Sequence, residues 1–334
     1  MIIDRFGGPE VLKLVEEKSL PEPEEGQVRV KVVYTSANFT DVMIRKGKNP
    51  EVREKPPFSP GYDMVGIIDK LGPGGNKFEV GQRVADMPVI GAYSEYICLP
   101  EENLVAVPDN IEPDAAVSLI LSYVTAYQML HRVAKIEEGQ SILVHGASGA
   151  VGTAMLQLGS IHELNMFGTA SKKKHELVTS LGATPIDYKN ENFVEKLNDL
   201  TKQGVDAVFD PIGGRHFTRS FKSLRPGGKL IAYGFYNAVM GKGGNTIFDF
   251  VKLFLWNILP NGKRSRFYSI GSMRKKYPEW YKQDLKKLFE LLAKGKIDPV
   301  IADHYPLEQA GKVHELIENT SLQGKIILDV AGGQ

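Results

Sequence analysis

The residues with the clearest chemical potential form a turn from Gly146 to Gly152, with the sequence GASGAVG. An apolar run from Ile142 to Val144 precedes this turn and is typical of a buried parallel strand, and a helix-forming segment follows from Val151 to Ile161. Gly149 lacks a Cβ, so its backbone could approach a phosphate, and Gly152 would let the helix pack closely on the strand. Amides at a helix start bind phosphate. The turn therefore predicts a dinucleotide site, with a merely tight structural turn as the alternative.

Ala147 occupies the place of the first glycine in the GxGxxG fingerprint, so the turn alone is weak evidence for a nucleotide site. Its context strengthens the prediction, because strand-like and helix-like segments alternate regularly through the following chain. We predict six strands, in ILVH from Ile142, MFGTA from Met166, TPIDY from Thr184, AVFD from Ala207, LIAYGF from Leu230 and RFYSI from Arg266. This alternation is typical of an α/β fold with a doubly wound parallel sheet, the Rossmann architecture.

The end of the second predicted strand distinguishes between dinucleotides, since an acidic residue there would bind the ribose 2′-hydroxyl of NAD. The sequence has Ser171 there, followed by lysines at Lys172, Lys173 and Lys174. Cations at a helix start oppose the helix dipole, which favours a phosphate partner over a merely solvated basic turn. We therefore expect the cofactor to be NADPH.

The chain before this region has a different texture, with short strands separated by Gly- and Pro-containing turns. In QVRVKVVY, which begins at Gln27, valine alternates with arginine and lysine, and similar short strands are predicted in MVGIIDKLG, GQRVADM and AYSEYICLP. This pattern predicts an antiparallel, barrel-like domain, to which a last strand, KIILDV, could return. The predicted domains are therefore 1–117 with 271–334, and 118–270.

Composition excludes several classes of protein. A chain of 334 residues favours two domains, and 41 basic residues nearly cancel 40 acidic ones, which disfavours nucleic acid as a partner. Cys98 is the only cysteine, which excludes internal disulfides and thiolate-rich zinc sites and suits a reducing compartment. The N-terminal residues show no signal peptide, and no apolar run is long enough to span a bilayer. We expect a cytoplasmic protein that acts on a small molecule.

Several motifs are spread over nearly the whole chain, among them FGGPEVL from Phe6, ANFTDVMIRKG from Ala37, PGYDMVG from Pro60, DPIGG from Asp210, LRPGGKLIAYG from Leu224 and GKIIL from Gly324. Together they resemble the zinc-free medium-chain dehydrogenases/reductases of the quinone oxidoreductase (zeta-crystallin-like) group. FGTASKKKHE and DPIGG lean towards the vesicle amine-transport-protein-like branch. The resemblance implies a Rossmann domain plus a GroES-like antiparallel β-barrel catalytic domain formed by both chain ends.

The resemblance also implies which residues surround the cofactor. The pyrophosphate would lie on Gly146, Gly149, Ala150, Val151 and Gly152. The 2′-phosphate would be surrounded by Ser171, Lys174 and Tyr188, although Tyr188 could be an ordinary amphipathic tyrosine at a strand end. The nicotinamide would lie near Asn38, Thr125, Gly234 and Phe235.

The resemblance bears on metal binding as well. Zinc-bearing relatives have a cysteine ligand at the position of Asn38 and a histidine ligand at that of Tyr62, and neither residue here is a normal zinc ligand. The histidines are scattered without ligand spacing. We therefore expect no metal. Hydride transfer without a Lewis acid suits conjugated acceptors such as quinones and α,β-unsaturated carbonyls.

Asn38, Asp41 and Tyr62 are the candidate catalytic residues. Asn38 and Asp41 could position the nicotinamide or the substrate carbonyl, but Asp41 could equally be a turn residue that bonds its own backbone. Tyr62 could donate a hydrogen bond or a proton to a developing enolate, or simply line the pocket. Met43 stands where quinone reductases of this group often have a tyrosine, which puts simple quinone specificity in doubt.

The segment from Ile247 to Leu259 is apolar almost all round and has basic residues on both sides. It could be a crossover helix buried against the sheet or a neighbouring subunit. It could also be a hydrophobic lid or a peripheral contact surface for lipids or membranes. This second possibility suggests an alternative function, an NADPH-binding module that associates with membranes or proteins and has little turnover. We further expect a homodimer formed by pairing of the last Rossmann strand around Phe267.

Overall fold

The computed structural model describes residues 1–319 and 322–330. The strands are β1 (Ile2–Ile3), β2 (Leu12–Lys13), β3 (Gln27–Ala37), β4 (Met64–Leu71), β5 (Arg83–Asp86), β6 (Tyr96–Pro100), β7 (Val105–Ala106), β8 (Ser141–His145), β9 (Asn165–Ala170), β10 (Thr184–Asp187), β11 (Val205–Asp210), β12 (Leu224–Ala232), β13 (Arg264–Phe267), β14 (Ile301–Pro306) and β15 (Lys325–Asp329).

The α-helices are α1 (Phe39–Arg45), α2 (Pro113–Ser118), α3 (Val124–Tyr127), α4 (Ala150–Ile161), α5 (His175–Ser180), α6 (Phe193–Thr201), α7 (Arg215–Lys222), α8 (Tyr236–Val239), α9 (Thr246–Trp256), α10 (Ile270–Lys276), α11 (Pro278–Ala293) and α12 (Ala310–Glu318). Short 3₁₀ turns lie at Pro9–Val11, Glu101–Asn103, Lys172–Lys174 and Leu307–Gln309.

The chain divides into a terminal unit, Met1–Ser122 with Lys282–Gln334, and a central unit, Tyr123–Tyr281. The predicted boundaries, after residue 117 and before residue 271, therefore need correction. The first falls inside a continuous helical segment, where amphipathic periodicity gives no break. The second was placed too early, because α10 and the first residues of α11 belong to the central unit.

The central unit contains a parallel sheet with the strand order β10-β9-β8-β11-β12-β13. Five of the six predicted strands are present, and the sixth, RFYSI, shares only Arg266 and Phe267 with β13. The order is that of a doubly wound Rossmann sheet. Apolar residues of β8, β11 and β12 are fully buried, including Leu143, Val208 and Leu230, as expected of strands covered by helices on both faces. The order reverses between β8 and β11, and ligands bind beyond the carboxyl ends of strands at such a point.

The main sheet of the terminal unit has the order β14-β15-β3-β4-β5-β7, and β6 also pairs with β3. Neighbouring strands are antiparallel except β14 and β15. The predicted return of the last strand is confirmed, since β15 pairs with β3. Sequence reasoning missed β14, because its residues are largely exposed and polar and show no alternation.

The helical segment predicted after Pro113 is more irregular than its pattern indicates. The short helices α2 and α3 alternate with π-helical stretches at Leu119–Tyr123 and Gln128–Ala134. π-helical turns are rare and frequently lie at functional sites. Thr125, a predicted cofactor residue, lies in α3 between these two stretches and is buried.

Candidate functional site

The phosphate turn, Gly146 to Gly152, joins β8 to α4 as predicted. Gly146 has a φ of 68°, in the left-handed region that glycine adopts without strain. The amide of Gly149 donates to the carbonyl oxygen of Gly146 at 2.9 Å, which closes the turn, and α4 begins at Ala150. The first amides of α4 have no partner within the helix, so the turn offers donors and a helix dipole to an anion.

Steric contacts explain the glycines of this turn. A Cβ on Gly152 would lie 2.3 Å from the Gly146 carbonyl oxygen, so only glycine allows α4 to pack this closely, as predicted. Gly149 has more room, since its Cβ would lie 3.4 Å from the same oxygen. Ala147 is tolerated at the first glycine place because its methyl group packs against Gly168, where a Cβ would lie 2.6 Å from that of Ala147. The geometry thus allows a backbone approach by a pyrophosphate.

The residues predicted to surround a 2′-phosphate are brought together by strand register. Asp187, the last residue of β10, pairs with Ala170, the last residue of β9. Ser171 and Tyr188 therefore follow two neighbouring strands at one edge of the sheet, and Tyr188 is 51% exposed. The acidic residue at this edge, Asp187, accepts hydrogen bonds from the Lys189 amide and the Asn190 side chain, so it caps its own turn.

Lysines dominate this edge of the sheet. Lys174 is half-buried, and its burial together with the nearby Lys189 lowers the pKa of its ammonium group. Two ammonium groups that repel one another at a strand end are stabilised by a phosphate between them. The observed residues therefore fit the 2′-phosphate of NADPH better than the free hydroxyl of NAD.

Gly234 and Phe235 follow β12, which begins before the predicted strand LIAYGF and ends at Ala232, three residues before its predicted end. A Cβ on Gly234 would lie 2.8 Å from the carbonyl oxygen of Pro211, so the two strand ends approach closely there. The ring of Phe235 is stacked on that of Phe267, with centroids 5.0 Å apart. Its side chain is therefore used in packing, and the backbone of these residues is what a nicotinamide could contact.

Asn38 and Asp41 form a capping box at the start of α1. The Asn38 amide donates to Oδ2 of Asp41 at 2.9 Å, so Asp41 bonds local backbone, which was the alternative reading of this residue. Asp41 is fully buried, and burial together with the neighbouring Asp63 raises its pKa to about 8. Asp41 is therefore protonated at neutral pH.

The side chain of Asn38 lies in a buried cluster with Ser36, Asp63, Ser122 and Lys325. Its Nδ2 donates to the Ser36 carbonyl at 3.0 Å, and its Oδ1 accepts a short hydrogen bond from Nζ of Lys325. Nζ of Lys325 also donates to Oγ of Ser122 at 3.1 Å and lies 3.6 Å from Oδ2 of Asp63. Sequence reasoning missed Lys325. The only local signal is its position as the first residue of the last predicted strand, KIILDV, directly after Gly324.

Thr40, in the first turn of α1, is a second residue that the sequence analysis did not include. Its hydroxyl oxygen is buried and has no hydrogen-bond partner among residues 1–319 and 322–330, and the same is true of Oδ1 of Asp41. Buried polar atoms are nearly always satisfied, so such atoms are places where a ligand or a water binds. The N-cap and first turn of α1, from Asn38 to Asp41, therefore fit a role beside a bound group.

Tyr62 is fully buried in the terminal unit, and its hydroxyl donates to Oε2 of Glu51 at 2.8 Å. The phenol proton is thus directed to a protein carboxylate. Both roles considered for Tyr62, donation to a developing enolate and lining of the pocket, stay predictions.

The residues at the positions of the zinc ligands do not fit zinc. Neither Asn38 nor Tyr62 has a thiolate or imidazole, and the ammonium of Lys325 already contacts the Asn38 oxygen that a metal would need. A second cation would therefore be repelled there.

The central unit contains another group of potential ligands, in which His145, Asp210 and His216 have ligand atoms within 4.8 Å of one another. The spacing in the sequence indicated that the histidines are scattered, but the fold brings these two together. Hydrogen bonds already occupy these atoms, because Nδ1 of His216 lies 2.7 Å from Asp210 and Nε2 of His145 lies 3.0 Å from Oγ of Ser220. Burial lowers the pKa of His145 to about 3, so its ring is neutral. This network is satisfied without a metal.

The apolar segment forms α9 and the turn after it, and residues 1–319 and 322–330 leave one of its faces uncovered. Ile247, Phe248, Phe254 and Ile258 are 67–74% exposed, whereas Asp249 and Leu253 are buried. Of the alternatives considered for this helix, burial against the sheet does not hold for this face, whereas a contact with a neighbouring subunit, a lid and a lipid-contacting surface all require such exposure. Among the described residues, no helix has the length and apolar character needed to cross a bilayer.

The chain matches two protein-family models. The alcohol dehydrogenase GroES-like domain matches residues 24–109, and the zinc-binding dehydrogenase model matches residues 181–328. These matches confirm the predicted GroES-like domain.

Curated relatives and solved structures are similar over nearly the whole chain. The synaptic vesicle membrane protein VAT-1 homolog-like of Mus musculus is 32% identical over 341 residues, which cover 99% of this chain and 81% of the relative. The quinone oxidoreductase of Rattus norvegicus is 31% identical over 330 residues, which cover 97% and 95%. The crystal structure of Escherichia coli quinone oxidoreductase complexed with NADPH has a TM-score of 0.89 at 27% identity and covers 98% of this chain and 99% of that one.

The motifs, the Rossmann sheet, the GroES-like domain and these full-length similarities agree with one another. The chain belongs to the medium-chain dehydrogenase/reductase superfamily and is an oxidoreductase of its quinone oxidoreductase and VAT-1-like group.

Proposed function

We propose that this oxidoreductase reduces quinones or α,β-unsaturated carbonyls with NADPH and without a bound metal. The observation that carries the proposal is the position of Ser171 and Lys174 at the strand ends beside the phosphate turn of a Rossmann sheet. The cofactor is NADPH: these residues suit its 2′-phosphate, and the similar E. coli quinone oxidoreductase structure is an NADPH complex.

In this proposal the bound NADPH supplies the hydride. The phosphate turn binds the pyrophosphate through backbone amides, and Lys174 neutralises the 2′-phosphate. The N-terminal end of α1, with Asn38 and Thr40, positions the reacting groups, and the buried cluster around Lys325 supports Asn38.

The proposed substrates follow from the absent Lewis acid. The zinc positions hold Asn38 and Tyr62, whose oxygens are already engaged by Lys325 and Glu51. Without a metal to generate an alkoxide, simple alcohols are poor substrates, whereas a quinone or an enone accepts a hydride on a carbon or oxygen already activated by conjugation.

The test is a panel of quinones, enones and enals, with NADPH consumption followed by its absorbance and NADH as the control. We expect turnover of at least one class, a clear preference for NADPH, and no effect of a metal chelator. Turnover restricted to simple alcohols, or loss of activity with the chelator, would contradict the proposal.

A homodimer through β13 is part of this proposal. β13 lies at the edge of the central sheet and pairs only with β12 among the described strands. The Asn257 side chain bonds the amide and the carbonyl of Ser265, so a second copy would have to replace these two hydrogen bonds. Equilibrium sedimentation of the wild type tests this, and a monomer at every concentration would contradict the homodimer. A cytoplasmic location stays a prediction.

The exposed face of α9 favours a second candidate function, an NADPH-binding module that associates with a membrane and has little turnover. Ile247, Phe248, Phe254 and Ile258 form a large apolar surface, and exposed basic residues such as Lys242 and Arg264 lie on either side of it in the sequence. An apolar helix face with basic flanks suits an anionic membrane surface. Brisk turnover without vesicle binding would exclude this candidate.

A further inference from the structure

We propose that Lys325 is a positioning residue of the site around Asn38. Its ammonium group holds the Asn38 carboxamide in one orientation and provides a fixed positive charge where zinc-bearing relatives have metal ligands. The inference rests on the proposed function, because it assigns a role in that same reaction, and sequence reasoning did not include this lysine among the site residues.

Strand register places Lys325 beside Asn38. Lys325 begins β15, whose next residue, Ile326, pairs with Ala37 at the end of β3. The amide of Lys325 donates to the Val300 carbonyl at 2.8 Å. Gly324 precedes it with a φ of 83°, and a Cβ there would lie 2.0 Å from the Val300 oxygen. The backbone at Lys325 is therefore fixed by two neighbours, the Val300 carbonyl and strand β3.

The opposite wall of the cluster comes from β4. Asp63 immediately precedes β4, and Met64 pairs with Thr35 of β3, so Asp63 lies beside Ser36. Oδ1 of Asp63 accepts hydrogen bonds from the amide and the hydroxyl of Ser36, at 3.0 and 2.5 Å. Its other oxygen lies 3.6 Å from Nζ of Lys325. Three adjacent strand ends thus enclose the ammonium group.

The charges explain why this lysine can be buried. Lys325 is 3% exposed, and Asp63 and Asp41 are fully buried. An isolated buried ammonium costs several kcal/mol, so it requires a counter-charge and full hydrogen bonding. Asp63 provides the charge, while Asn38 and Ser122 provide neutral acceptors. Asp41 is protonated at neutral pH because of its raised pKa of about 8, so one cation faces one anion.

The orientation of Asn38 follows from these contacts. A carboxamide can rotate to exchange its oxygen and nitrogen, but Lys325 only donates and the Ser36 carbonyl only accepts. The two partners therefore select one orientation. Truncating Lys325 removes the charged donor on the oxygen side, where only the backbone amide of Asp41 in the capping box remains, and leaves the carboxylate of Asp63 buried without its cation.

The test compares Lys325→Met, Lys325→Arg and the double variant Lys325→Met with Asp63→Asn. Lys229→Met is the matched control, because the ammonium group of Lys229 also donates a hydrogen bond, to the backbone carbonyl of Ala134, but in the central unit. We expect Lys325→Met to lower kcat by about 10- to 100-fold, as loss of a supporting contact does, with the NADPH dissociation constant unchanged within about twofold. Lys229→Met should leave kcat unchanged.

The double variant separates positioning from stability. It removes both buried charges, so it should recover the free energy of unfolding lost in Lys325→Met but not the lost kcat. Lys325→Arg keeps the charge and should retain more activity than Lys325→Met, although methionine fits the space more easily. A double variant with wild-type kcat, or a methionine variant more active than the arginine variant, would overturn the proposal.

A readout independent of turnover distinguishes the failure of this inference from failure of the proposed function. Hydrogen exchange of the Asn38 side-chain amide, assigned by its loss in Asn38→Ala, should be slow in the wild type and at least about tenfold faster in Lys325→Met, because the orienting contact is gone. If the wild type reduces none of the panel substrates but this change is seen, only the proposed reaction fails. Unchanged exchange in a folded variant would refute the role of Lys325.

Discussion

The carbonyl oxygen of Gly146 lies so close to Gly152 that a Cβ on Gly152 would be only 2.3 Å from it. The strand end and the first turn of α4 are therefore in contact at the backbone. This contact directs the first amides of the helix towards the space above the turn, which is the geometry that a pyrophosphate requires.

The two glycines of this turn should respond differently to alanine. Gly152→Ala forces the helix away from the turn and should cost about 1–3 kcal/mol of unfolding free energy, as overpacking does, and weaken NADPH binding. Gly149→Ala has room in the fold and should change stability by less than about 1 kcal/mol, but its methyl group would occupy the approach of the phosphate. Urea unfolding and NADPH fluorescence titration measure both effects. Equal stability loss in the two variants would contradict this account.

Lys174 should determine the preference for NADPH over NADH. A charge-assisted contact to phosphate contributes about 1.5–3 kcal/mol, so Lys174→Ala should weaken NADPH binding by about 10- to 100-fold and leave NADH binding nearly unchanged. Ser171→Ala should have a smaller effect in the same direction. Lys173→Ala is the matched control, since Lys173 lies in the same turn but is exposed. If Lys173→Ala and Lys174→Ala act alike, the lysines contribute only a general positive field.

The exposed face of α9 should control association. We expect the wild type to sediment with anionic vesicles, and Phe254→Ser with Ile258→Ser to reduce binding at least about fivefold by removing apolar contact area. Leu14→Ser with Leu20→Ser is the control, because these residues are 62% and 47% exposed elsewhere on the chain. The wild type could instead fail to bind vesicles and form a dimer that the α9 variant disrupts. That outcome would assign this face to a subunit contact.

Asp41 should make folding stability depend on pH. Its pKa rises from 3.8 to about 8 on folding, so the native state keeps a proton that the unfolded chain releases between these values. The stabilisation is complete below pH 3.8 and is lost as the pH rises towards 8. Asp41→Asn keeps the capping acceptor but cannot titrate, so it should reduce the slope by up to about 1.4 kcal/mol per pH unit.

Urea unfolding at a series of pH values measures this slope. Asp199→Asn, a substitution at an exposed position in α6, is the control and should leave the slope unchanged. An Asp41→Asn variant with the wild-type slope would show that Asp41 is ionised in the folded chain.

Local features of the sequence were sufficient to predict much of the fold and of the cofactor site. The alternation of strand and helix patterns predicted five strands of the central sheet, because buried parallel strands need continuous apolar runs. The edge strand β13, with the sequence RSRF, has no such run, and its predicted position was displaced. The absence of a Cβ at Gly152 and the cationic run ending at Lys174 are also local. These features depend on neighbours within a few residues, which a sequence displays directly.

Contacts between distant parts of the chain could not be predicted in this way. Lys325 and Asn38 are 287 positions apart, and only the pairing of β15 with β3 brings them together. The ring contact between His145 and His216 also depends on the order of β8 and β11 in the sheet, because His145 ends β8 and His216 lies in α7, which follows β11. A side chain carries no local mark of its partner on another strand, so spacing alone assigned these residues no common role.

The sequence by itself therefore determined the family, the Rossmann sheet and the cofactor, since each depends on short motifs with a local physical cause. The tertiary structure decided the electrostatics of the site. Burial decides whether Asp41 holds a proton, whether the Asn38 side chain is hydrogen-bonded to Lys325 and whether α9 is covered. Burial is a property of the folded chain as a whole.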